Sequence, residues 1–124
     1  MENYSKLIID NEKNINGKKF TYNLNTNEFI FESMLKNFDM QILSGFKPKL
    51  NDDNDLKSRL ENEIYKLSKT PGEYHFETSH YSKNKGLRYY SIHIKNNDEV
   101  FTIIEGIIYD VTNEKNLLSK MVQA

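Results

Sequence analysis

The chain has 124 residues, 37% hydrophobic and 28% charged, with a formal net charge of -1. That length carries one domain with a single core, and the balance of charge leaves no field that would gather nucleic acid or an anionic membrane. It contains no cysteine, which excludes disulfides, thiolate metal sites and a flavin bonded through cysteine.

No apolar run approaches the ~18 residues needed to span a bilayer. Glu2, Asp10 and Glu12 fall where a signal peptide would be uncharged. Residues 2–13 place Tyr4, Leu7 and Ile8 at helical spacing, so a short lead-in helix is expected over 1–17. "FTYNLN" then alternates, with Phe20, Tyr22 and Leu24 on one face, and "EFIFES" follows with Phe29 and Phe31 together. Asn25-Thr26-Asn27 lies between them. Asparagine tolerates positive φ better than other non-glycine residues, which predicts a strand, a tight turn and a strand.

From Met34 to Lys49 short apolar clusters alternate with polar residues until Gly45 and Pro48, the pattern of one or two short helices and a loop. "NDDNDL" offers several N-caps. Leu56, Leu60, Ile64 and Leu67 then recur at spacings of four, four and three. This predicts one apolar stripe on a helix from about Asp53 to Ser68, stopped by Thr70-Pro71-Gly72.

Three strands are expected next. Tyr74, Phe76 and Thr78 share a face of the first, and Tyr90, Ile92 and Ile94 share a face of the second. "EVFTIIEGIIYDV" is apolar on both faces: Phe101, Ile103, Ile107 and Tyr109 on one, Val100, Ile104 and Ile108 on the other. A strand apolar on both sides belongs in the centre of a sheet. The order predicts an α+β fold, a five-stranded antiparallel sheet with helices on one face. A central last strand must pair with the first.

Few residues suggest chemistry. His75 and His93 fall opposite the apolar stripes of their strands, and His80 falls on the other face from His75, so no convergent metal site is expected. Glu105 interrupts an apolar run; it faces solvent or a partner, or it holds a cationic group. Arg88 is expected in a surface ion pair with Glu77 or Asp110. Asp52-Asp53 reads as helix capping rather than an acid/base pair. No catalytic residue and no metal ligand are expected.

Four stretches in this order resemble the PAS family, in the subclass with a C-terminal PAC pattern, over roughly residues 18–118. "FTYNLNTNEFIF" is similar to the family's aromatic strand and D-L-x-T-G-E turn, with Asn23 for Asp and Asn27 for Gly. "NDDNDLKSRL" resembles the H-P-D-D entry to the long helix without its His and Pro. "EYHFETSHYSKNKGLRYYSIHIK" resembles E-Y-R…D-G-x-x-R-W, with Gly86 and Arg88 in place and Tyr89 for Trp. "EGIIYDVTNEKN" resembles G-x-x-x-D-I-T-E-R-K, with Asp110, Thr112 and Lys115 in register.

The resemblance implies a sheet of order 2-1-5-4-3, with the PAS domain proper at 18–112 and the start of a signalling helix at 113–124. It implies a bacterial sensory domain, not itself an enzyme, that binds a small ligand or dimerises. Such a domain biases an attached histidine kinase or GGDEF diguanylate cyclase. Phe31, Met34, Phe38, Met40, Leu43, Leu60, Ile64 and Tyr90 are the candidate pocket residues; Asp110, Thr112 and Leu118 are the candidate relay residues. In this reading the Thr112 hydroxyl caps the following helix at the N–H of residue 114 or 115. Leu117, Leu118, Met121 and Val122 form an apolar seam for a homodimer. The ligand is unknown. Haem is not expected, because the helix over 53–68 has no histidine. The expected setting is the cytoplasm, free or as part of a membrane-bound sensor, with no nucleic acid and no direct membrane contact. The rival readings are a ligand-free dimerisation module and a small α+β enzyme using His80 or Glu105.

Overall fold

The computed structural model describes residues 17–32 and 40–123. The expected lead-in helix, and the pocket candidates Met34 and Phe38, lie outside the described residues.

The elements run β1 (Lys18–Asn23), β2 (Glu28–Phe31), a one-turn 3-10 helix (Met40–Leu43), α1 (Leu56–Lys69), β3 (Glu73–Ser82), β4 (Gly86–Asn96), β5 (Ile103–Asp110) and α2 (Thr112–Gln123). The strands form one sheet in the order β2-β1-β5-β4-β3, each pair antiparallel. The last strand is therefore central and pairs with the first.

The core follows from the two periodicities. Leu56, Leu60, Ile64 and Leu67 of α1 are all fully buried, as a stripe repeating near 3.6 residues requires. They cover the sheet face that carries Phe20, Tyr22, Phe76, Tyr90, Ile92, Ile94, Ile104 and Ile108. Each such Leu or Ile contributes about 1.5–3 kcal/mol by leaving water. The helix starts at Leu56, with Asp55 at the capping position. The Asp55 side chain makes no cap bond; it accepts or shares a proton with His80 Nδ1 at 2.9 Å instead.

The β1–β2 turn depends on asparagine. Asn27 has φ 59°, the Asn23 side chain accepts the N–H groups of Asn25 and Thr26 at 2.8 and 3.2 Å, and the Tyr22 hydroxyl donates to Asn27 Oδ1 at 2.9 Å. We expect Asn27→Ala to lose about 1–2 kcal/mol in chemical denaturation, the cost of a Cβ residue in the left-handed region without a compensating side-chain bond. A loss below a few tenths would show that the turn does not constrain the hairpin.

The final strand begins later than its apolar run suggests. Val100 and Phe101 are not strand residues; they lie in a turn and are about half exposed. The cause is Asn97, whose side-chain oxygen accepts the N–H groups of Glu99 and Val100 at 2.9 and 2.8 Å. Its backbone N–H donates to Ile103, where the ladder starts. From there Ile104, Gly106 and Ile108 face the core. Tyr109 and Val111 form a second buried cluster on the opposite side, with Ile107 and Tyr89 packed against it. Both faces of the central strand are thus covered in part.

Candidate functional site

Two of the candidate relay residues, Asp110 and Thr112, meet where β5 hands the chain to α2. Asp110 pairs with Tyr90 across the β4–β5 ladder, which brings its carboxylate beside Arg88. Arg88 donates to Asp110 Oδ2 from Nε at 3.1 Å and from Nη2 at 2.7 Å. The other oxygen, Oδ1, accepts the Thr112 backbone N–H at 3.0 Å and the Thr112 hydroxyl at 2.6 Å. One carboxylate therefore ties the strand before it to the first residue of the helix after it.

Thr112 does not play the expected capping role. Its hydroxyl accepts the Tyr89 backbone N–H at 2.9 Å while donating to Asp110. The Lys115 N–H goes to the Val111 carbonyl. The hydroxyl thus closes the end of the β4–β5 ladder rather than the helix. Glu114 does occupy the first turn of α2, where the helix dipole favours an anion. A second tie comes from Lys115, whose ammonium lies 2.5 Å from Glu77 of β3. Arg88 thus takes Asp110, and Glu77 takes Lys115. Leu118 is half-buried on α2, while Leu117 is 61% exposed.

The described pocket candidates are spread over the core. Leu60 and Ile64 are fully buried and Tyr90 and Leu43 nearly so. Phe31 is half-buried and packed against the same cluster, and Met40 is exposed. Around them rings crowd closely: Tyr22 and Phe29 have centroids 4.6 Å apart, and Phe29 and Phe46 4.8 Å. An open groove of about 650 Å³ lies beside this cluster, lined by Leu24, Phe46, Pro48 and Tyr65 among others.

Two core tyrosines hold their protons strongly. Burial, then the Glu61 carboxylate, raises Tyr22 from the ordinary 10.0 to about 12. Burial, then Asp110, raises Tyr90 to about 12 against an opposing pull from Arg88. The unfolded chain therefore releases these protons first as pH rises. Their contribution to stability is complete below pH 10 and is lost between pH 10 and about 12. The urea midpoint should fall across that window; an unchanged midpoint would show that neither phenol is buried.

The histidines do not converge. His75 Nε2 lies 2.8 Å from the Ser91 hydroxyl, His93 pairs with Glu73, and His80 with Asp55. Among the described residues no group of three His, Cys, Asp or Glu side chains is arranged to hold a metal. His80 shares the sheet face of Phe76, whereas Glu105 is on the face opposite Ile104 and Ile108. The two residues weighed for catalysis are therefore separated by the sheet. No helix among the described residues is long and apolar enough to cross a membrane.

Sequence reading missed Asn96. It is 8% exposed; its side chain accepts the Gly72 N–H at 2.9 Å and donates to the carbonyls of Phe101 and Leu67 at 2.9 and 3.3 Å. It joins the exit of α1 to the turn before β5. A polar residue in a polar triplet gives no sequence sign of such burial.

No family model matches the chain, and no curated protein matches its sequence. Among solved structures, an RNA-binding light-oxygen-voltage receptor is similar over 86% of this chain, with a TM-score of 0.57 and 9% identity. The match spans 31% of that receptor's chain. At that identity the likeness is one of fold. With the strand order β2-β1-β5-β4-β3 and α1 across one face, the chain has the PAS-type α+β fold.

Proposed function

We propose that the chain is a sensory PAS-type domain that works as a dimer and passes the state of its sheet to an attached output domain through α2. The observation that carries this reading is the Asp110 clamp. The central strand ends in a carboxylate whose four hydrogen bonds are divided between β4 and the first residue of α2. A shift of β5 relative to β4 must break one half of that set or move the helix. The fully buried Leu60 and Ile64 favour signalling through partner contacts over a large ligand in that part of the core. The domain is non-catalytic in this reading, and the output is a kinase or cyclase in the same cytoplasmic protein. The similar receptor is RNA-binding; a formal charge of -1 supplies no net phosphate attraction in this chain.

Exposed Leu117 on α2 supplies the test. Sedimentation of the full chain should show a dimer, and Leu117→Lys should weaken it at least tenfold while leaving the circular dichroism spectrum unchanged. A wild-type chain that stays monomeric at all accessible concentrations, or a variant that dimerises as well as wild type, would overturn the dimer reading.

A further inference from the structure

The sheet face turned away from α1 carries a groove of about 400 Å³, within the range of small-molecule sites. It lies over the central strand. In register across it run Thr21, Glu105, Lys95 and Glu73, and one row along Lys19, Ile107 and His93. The two rows set both signs of charge around a short apolar floor at Ile107.

The charges are only partly satisfied by one another. Glu73 is taken by His93. Glu105 Oε2 accepts the Asn97 side-chain N–H at 3.1 Å, which fixes the carboxylate and leaves Oε1. Lys95 Nζ is 3.9 Å from Glu105 Oε1 and 3.9 Å from Asp98, beyond hydrogen-bond reach of both. Lys19 has no ion-pair partner among the described residues. The Glu105 side chain is 40% exposed and the Lys95 ammonium stands 3.9 Å away, so Oε1 is open to a second, closer cation.

We propose that this groove binds a small zwitterion, a free α-amino acid. Its ammonium meets Glu105, and its carboxylate lies between Lys19 and Lys95. The pairing of signs selects the class. A simple anion would meet Glu105 and Glu32, and a simple cation would meet both lysines; a molecule carrying both charges a few bonds apart satisfies each. Ile107 accommodates a small apolar side chain. The site is on the face opposite the core and does not depend on the relay reading, because binding is read on the domain directly.

The test is calorimetric titration of the full chain with L-alanine, L-glutamate and L-lysine in turn, and with acetate and methylammonium as half-ligands. Saturable binding of at least one amino acid is expected, with both half-ligands at least tenfold weaker. Glu105→Gln should weaken it at least tenfold. Exposed Lys19→Met should do likewise, and it asks the same question should the first variant melt early. Absence of saturable binding by all three amino acids, half-ligands that bind equally well, or undiminished binding by the folded variants would overturn the assignment.

Discussion

Replacing Gly106 with alanine is expected to destabilise the domain by about 3 kcal/mol, the upper end of what overpacking a core costs. A Cβ at Gly106 would stand 2.2 Å from Cζ and 2.4 Å from Cε1 of Phe20. The ring has no room to withdraw. Phe20 is 1% exposed, and its ring lies 5.7 Å from that of Phe29 and 5.4 Å from that of Phe31. The backbone is equally held, because Gly106 pairs with Phe20 on β1 and with Ile94 on β4. The sign of the result is informative. In a strand where space allows, alanine is better than glycine by roughly 0.5–1 kcal/mol, so a neutral or stabilised variant in urea denaturation would disprove the close contact. A double-mutant cycle sharpens the test. Phe20→Leu shortens the obstructing ring, so the two changes together should cost clearly less than their sum.

The same glycine shows where sequence reading stops. Alternation placed Ile104 and Ile108 on one face of a central strand, but nothing local says why the residue between them on that face is a glycine; the cause is Phe20, on another strand. Local patterns were legible because their physics is local. The 4-4-3 spacing of Leu56, Leu60, Ile64 and Leu67 needs only helical geometry, and Asn25-Thr26-Asn27 needs only a residue that accepts positive φ. The apolar pattern gave the central place of the last strand and its pairing with the first; the full sheet order came from the resemblance. Both corrections come from side-chain hydrogen bonds that compete with regular structure, one within its own turn and one across the sheet. Asn97 draws Val100 and Phe101 into a turn despite their β-propensity, and the Tyr89 N–H claims the Thr112 hydroxyl before the helix does. Arg88 was expected to pair with Glu77 or Asp110, and the structure decides between them: Arg88 meets Asp110, and Glu77 is taken by Lys115. The outer groove was not legible, because Thr21, Glu105 and Lys95 become neighbours only through cross-strand register.

Asp110→Ala should cost about 2–3 kcal/mol, the range for removing one member of a largely buried charged pair after some screening by solvent. Asp110 and Arg88 side chains are 22% and 30% exposed, so most of the interaction survives that discount. The loss is shared by two elements. The Arg88 guanidinium is left without its carboxylate, and the Thr112 N–H and hydroxyl lose their acceptor. The β4–β5 ladder keeps its own backbone bonds, and the Tyr89 N–H still reaches the Thr112 hydroxyl. The damage should therefore be local. Hydrogen exchange should accelerate through α2 far more than through β3 and β4 in native conditions. Thr112→Val, which keeps the shape and removes the hydroxyl, should give a smaller shift in the same direction, about 1 kcal/mol for the bonds lost. Uniform acceleration over sheet and helix would mean that Asp110 supports only global stability. No acceleration in α2 would mean that the helix is held by its packing on β4 and by the Lys115–Glu77 pair instead, and a carboxylate that does not hold the helix cannot transmit the movement of a strand to it.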